Sequence, residues 1–158
     1  MRAFANIEPV ESTEKFWRTF FLPAGCFRIV CVTKDFTNEK IKELMKDYAP
    51  ENAKYVCEIP NTTVEDVYAG TIEAICKDKE TTVVIDFTNL KEEDFRSSDM
   101  SLFQDRLGSI IYRHMHTPIR VIIPEGVYWR VFGHNDLREY WNVVAYVCLK
   151  GVKEAFCA

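Results

Sequence analysis

Short apolar runs rich in β-branched residues recur five times along this chain, and helical periods fill most of the gaps between them. Few architectures accept that alternation. The runs are Cys26 to Val32, Ala53 to Ile59, Thr81 to Phe87, Ile119 to Ile123 and Asn142 to Leu149. Each is too short for a buried helix and has the composition of a strand. Thr81 to Phe87 is apolar in both phases, as expected of a central parallel strand covered on its two faces. Between the runs, Glu39 to Tyr48 places Ile41, Leu44, Met45 and Tyr48 on one helical stripe, ended by Pro50. Thr37 or Asn38 is its expected cap. Val64 to Cys76 and Asp99 to His116 show the same period, and Glu125 to Trp141 reads as one or two short helices around Gly133. The predicted order is β-α-β-α-β-α-β-α-β. It calls for an α/β domain with a mainly parallel sheet of about five strands between helical layers, a three-layer αβα, doubly wound arrangement.

The length supports one such domain. With 158 residues, and roughly 100–200 residues per domain, residues 26–158 form a single unit and residues 1–25 are expected to be an N-terminal helical extension. In that extension Ser12 or Thr13 can cap a short amphipathic helix running through Phe16, Trp17, Phe20 and Phe21, broken by Pro23-Ala24-Gly25. The AVILMFWYC class makes up 47% of the chain, which is enough for a core and too much for a disordered segment. The net charge of −4 lacks the general positive field of a nucleic-acid-coating protein, so nucleic acid is not an expected partner. There is no apolar run of the roughly 18 residues that a membrane helix needs. The N-terminus lacks the apolar centre of a secretory signal. A cytoplasmic location is expected.

None of the six cysteines, Cys26, Cys31, Cys57, Cys76, Cys148 and Cys157, forms a CxxC pair or a zinc-ligand spacing with histidine. Cys31, Cys57 and Cys148 lie in apolar runs, where a free cysteine behaves as a small hydrophobe. Reduced, structural cysteines are expected, with a Cys148–Cys157 disulfide as the alternative.

In an open α/β sheet, ligands bind beyond the carboxyl ends of the strands. That rule alone selects Thr33, Lys34 and Asp35 after the first run, Glu58 after the second, Asp86, Thr88 and Asn89 after the third, and Glu125 after the fourth. Asp86 is the sharpest of these. It ends an apolar strand, so its carboxylate should emerge at the strand tip, where it could hold Mg²⁺ through water. The competing reading is that Asp86 accepts hydrogen bonds from its own turn, Thr88 and Asn89, and only shapes the loop. No other cofactor or metal is expected.

Val83-Val84-Ile85-Asp86 followed by Phe87-Thr88-Asn89-Leu90 resembles the Walker B strand of the RecA-like ATPases, in particular their KaiC-like group. Leu22-Pro23-Ala24-Gly25 resembles the lead-in to that family's first strand. The helix from Asp99 to His116, the segment Pro118 to Glu125 and the stretch Asp136 to Leu149 resemble its next helix, next strand and following edge strand. The family's GxxxxGK[ST] is missing. Thr33-Lys34-Asp35-Phe36-Thr37-Asn38-Glu39-Lys40 stands in its place and contains no glycine. A phosphate loop needs glycine so that several backbone N–H groups can face the phosphates. The resemblance therefore implies a degenerate, P-loop-less RecA-like domain without ordinary ATP hydrolysis.

Other constellations are weaker. His114 and His116 point about 200° apart on a helix and cannot share a metal there. Ser97, Ser98 and Ser101 lack a nucleophile elbow. Trp129, Arg130 and Trp141 could be core, an interface, or a stacking surface for single-stranded nucleic acid. Phe16, Trp17 and Phe20 must pack on the sheet or on another subunit. The expectation is a non-catalytic assembly or regulatory module, not an enzyme, working through protein contacts and forming a homo-oligomer. The alternatives are a ligand or nucleotide site around Asp86, and nucleic-acid binding through the aromatic patch.

Overall fold

The computed structural model describes residues 9–23, 28–57, 80–91, 93, 117–132 and 143–148. The strands are β1 (Pro9–Glu11), β2 (Arg28–Val32), β3 (Lys54–Cys57), β4 (Val83–Asp86), β5 (Ile119–Pro124) and β6 (Val143–Cys148). The helices are α1 (Glu14–Phe21), α2 (Asn38–Tyr48) and α3 (Glu125–Phe132). The strands form one sheet in the order β1-β6-β2-β5-β4-β3, and every pair is parallel. This is an α/β fold.

The five apolar runs each supply a strand. The sixth, β1, comes from Pro9–Glu11, where only helical structure was expected. It pairs with β6 in register Pro9 to Tyr146. The stretch that resembled an edge strand is therefore interior, flanked by β1 and β2. An edge strand of three residues carries too little pattern to be seen in sequence. The predicted helices Val64 to Cys76 and Asp99 to His116 lie outside the described residues.

Local signals explain the described helices. Thr13 caps α1, its hydroxyl accepting from the Phe16 amide at 3.2 Å. Thr37 does the same for α2 through the Lys40 amide, also at 3.2 Å. Glu14 and Glu39 stand in the first turns, where a negative charge suits the helix dipole. Ala49 closes α2 immediately before Pro50, which cannot continue the helix.

Period-two alternation divides the sheet into two faces. Val30, Val32, Val84 and Ile122 share one face and pack with Trp17, Phe20 and Phe21 of α1, Ile41 and Leu44 of α2, and Phe36. Trp17 and Phe21 have no exposed surface, and their rings stack at 5.6 Å. The Arg18 guanidinium lies 5.1 Å over the Tyr48 ring and ties α1 to α2. On the opposite phase, Ile29, Cys31, Val83, Ile85, Val121 and Ile123 are also fully buried. Burying each such aliphatic side chain is worth about 1.5–3 kcal/mol, so β2, β4 and β5 form the stable centre of the sheet.

Two charged side chains are fully buried among the described residues, Arg120 and Asp86. They lie on the same face. Asp86 is opposite Ile122, and Arg120 is two residues before Ile122 on β5. Arg120 serves the C-terminus of α1. Its Nε donates to the Phe20 carbonyl at 2.6 Å and one terminal nitrogen donates to the Leu22 carbonyl at 2.9 Å. The Thr82 hydroxyl donates to the Phe21 carbonyl at 3.0 Å. These are carbonyls that the end of a helix leaves without intrahelical partners, and a cation there also meets the negative end of the dipole.

Candidate functional site

The topology locates the site before any side chain is considered. From β2 the chain passes through α2 to β3, at the far edge of the sheet. From β5 it passes through α3 in the opposite direction, beyond β2 to β6. The adjacent strands β2 and β5 thus send the chain in opposite directions along the sheet, the switch in strand order at which α/β sheets place their ligand sites.

The residues expected there divide in two. After β2, the Phe36 amide donates to the Thr33 carbonyl at 3.1 Å and closes a tight turn with exposed Lys34 and Asp35 at its tip. Phe36 turns inward, is 2% exposed, and sits 6.0 Å from the Trp17 ring. The next amides are engaged within α2, Lys40 on the Thr37 hydroxyl and Ile41 on the Thr37 carbonyl. The Thr33 hydroxyl is buried and has no hydrogen-bond partner. Glu125 begins α3 and is half-buried. Burial first, and the charge of Glu125 second, push the Cys31 thiol well above its ordinary range, so this cysteine stays protonated.

Asp86 ends β4 one strand further along the sheet, where its carboxylate is enclosed by its neighbours. Oδ1 accepts from the Thr88 amide at 2.8 Å and from the Thr88 hydroxyl at 2.5 Å. Oδ2 accepts from the Tyr55 hydroxyl at 2.6 Å. Burial, followed by this hydrogen bond, raises the Tyr55 phenol well above its usual value, so it remains a donor. The Asn89 amide group donates to Cys57 Sγ at 3.5 Å. Together these contacts tie the tip of β3 to the turn after β4. An Mg²⁺ ion asks for outward-facing carboxylates with room for several waters. The buried Asp86 carboxylate, holding three donors of its own chain, does not fit that role.

Of the other sequence candidates, Trp17 and Phe20 lie in the core under α1. Phe16 is half-buried and stacks on Phe20 at 6.0 Å. Trp129 and Arg130 belong to α3, but their side chains lie outside the described residues, as do Glu58 and Trp141. Cys31 and Cys57 are not in disulfides, and the remaining cysteine side chains are outside the described set.

Sequence reasoning missed Tyr55 and Arg120. Tyr55 carried no signal, because its partner depends on β3 lying beside β4. Arg120 did carry one, since a lone arginine inside an apolar strand is the kind of polar residue whose burial must be compensated.

No family model, curated protein or solved structure matches the chain. Among the described residues, no helix is long and apolar enough to cross a membrane.

Proposed function

We propose that the chain is a non-catalytic assembly or regulatory module of the doubly wound, three-layer α/β type, a RecA-like domain without its phosphate loop. It works in the cytoplasm through contacts with a second copy of itself or with another protein. The observation that carries this reading is the turn from Thr33 to Phe36. A phosphate cradle at that place needs free amides and an open loop. Here the Phe36 amide is bonded within the turn and the phenyl ring fills the space beneath it. The enclosed carboxylate of Asp86 supports the same reading, because a metal-holding acid would face outward.

Light scattering and thermal unfolding with and without ATP–Mg²⁺ test the proposal. A dimer or larger species with an unchanged unfolding temperature is expected. A ligand at about 100 times its dissociation constant adds about 2.7 kcal/mol, or roughly 5–10 °C for a chain of this size. A shift of that order would overturn the non-catalytic reading. It would favour a small-ligand site along the strand tips, for which the partnerless, buried Thr33 hydroxyl is the supporting observation. A monomer at all concentrations would remove self-assembly.

A further inference from the structure

A second concave feature lies away from the strand tips. α2 and the start of β3 border an open groove of about 350 Å³, with Lys42, Lys46, Glu51 and Tyr55 among its lining residues. That volume is at the lower end of small-molecule sites. The floor is apolar, made by Met45, Ala49, Pro50 and Ala53. The rim carries two ammonium groups against the single carboxylate of Glu51, on a chain whose overall charge is −4. We propose that this groove binds a small carboxylate with an apolar body, the body on the floor and the carboxylate at Lys42.

Three observations support that assignment. First, the walls are already in place. The Ala49 amide closes the end of α2 on the Met45 carbonyl at 2.9 Å, and the Ala53 amide closes the following turn on the Pro50 carbonyl at 3.0 Å. Tyr55 is held by its hydroxyl on Asp86. A preformed wall loses little freedom when a ligand arrives. Second, Lys42 is positioned but carries no opposing charge. Its Nζ lies 5.8 Å from the centre of the Tyr55 ring, and the one ion pair between described residues is Arg18–Glu14, on α1. The ring face localises the ammonium without neutralising it. Third, Lys46 stands in the last turn of α2 and offsets the negative end of the helix dipole, which would otherwise repel an anion. Lys42, one turn earlier, is thereby the principal contact.

The test is a titration of the 158-residue chain with 4-propylbenzoate and, separately, with 4-propylbenzyl alcohol, followed by the methyl resonances of Met45, Ala49 and Ala53. The benzoate should shift those methyls to saturation and bind about 1.5- to fivefold more tightly than the alcohol, the range for exposed charge pairs. Lys42→Gln should erase that preference, and Lys46→Gln should reduce it less. Both lysines are exposed, so the fold should be retained, which far-ultraviolet circular dichroism checks. The proposal fails if the methyls do not move, or if acid and alcohol bind alike. It fails also if an oligoglutamate peptide moves them and the benzoate does not, because the rim would then belong to an acidic segment of a partner.

Discussion

The two ends of the sheet each contain a buried charge, and they treat it differently. At the end beneath the C-terminus of α1, Arg120 is held by backbone carbonyls of Phe20 and Leu22. At the other end, Asp86 is held by the side chains of Tyr55 and Thr88 and by one backbone amide. Carbonyls at a helix end cannot move without moving the helix. Hydroxyl groups can rotate away. The first arrangement makes α1 part of the core. The second ties the tip of β3 to the turn after β4 through side-chain hydroxyl groups. The two buried charges thus brace opposite ends of the adjacent strands β5 and β4.

The largest test of this contrast is Arg120→Met. It removes donors from the carbonyls of Phe20, Leu22 and Ile119 and should cost about 3–5 kcal/mol, since each buried acceptor left without a donor costs about 1–3 kcal/mol. Urea unfolding measures it. A loss below about 1 kcal/mol would mean that α1 stays in place through its aromatic rings alone, and the contrast would collapse. Asp86→Asn should cost less, about 2 kcal/mol, because Oδ1 is kept for Thr88 while the Tyr55 hydroxyl loses its acceptor and the charge assistance goes. Equal losses for the two variants would show that both ends are equally rigid.

The pH dependence of stability sharpens the comparison further. Cys31 has an ordinary value of 9.0 and is raised in the folded chain. Above that pH the unfolded chain gives up the proton and the folded chain keeps it. Stability should therefore fall on the alkaline side, with a slope approaching about 1.4 kcal/mol per pH unit. Tyr55, ordinarily 10.0, should add a smaller loss at higher pH, reduced because the residue is only half-buried. Cys31→Ala should flatten the first part of the curve and Tyr55→Phe the second. A flat profile between pH 8 and about 10.5 would contradict the burial of both groups. The smallest effect expected is for Thr37→Ala, which removes the cap of α2 and should cost about 1 kcal/mol. A much larger loss would mean that the Thr33–Phe36 turn depends on that cap.

Much of the fold was legible. The runs at Val30, Val84 and Ile122 read as strands because β-branched residues in short, two-sided apolar stretches fit little else. Ser12 or Thr13, and Thr37 or Asn38, read as caps because such side chains match the free amides one turn ahead, and the structure uses Thr13 and Thr37. Thr88 was visible as a partner of Asp86, since it lies two residues away in the same turn. Tyr55 was not, because 31 residues separate it from Asp86. Nor was the role of Arg120, whose partner carbonyls lie about a hundred residues earlier. Phe16, Trp17 and Phe20 were read as core or interface alike, because a ring looks the same in sequence whichever surface covers it.

Apart from β1, the sequence alone determined the kinds of the described elements, the places of their caps and the parallel character of the sheet, since propensity, periodicity and capping are properties of near neighbours. The tertiary structure decided which strands stand side by side, and with that the partners of Asp86 and Arg120 and the burial of Phe36. Those outcomes depend on contacts between segments far apart in the chain, which form only when burial of the whole core outweighs the entropy of bringing them together.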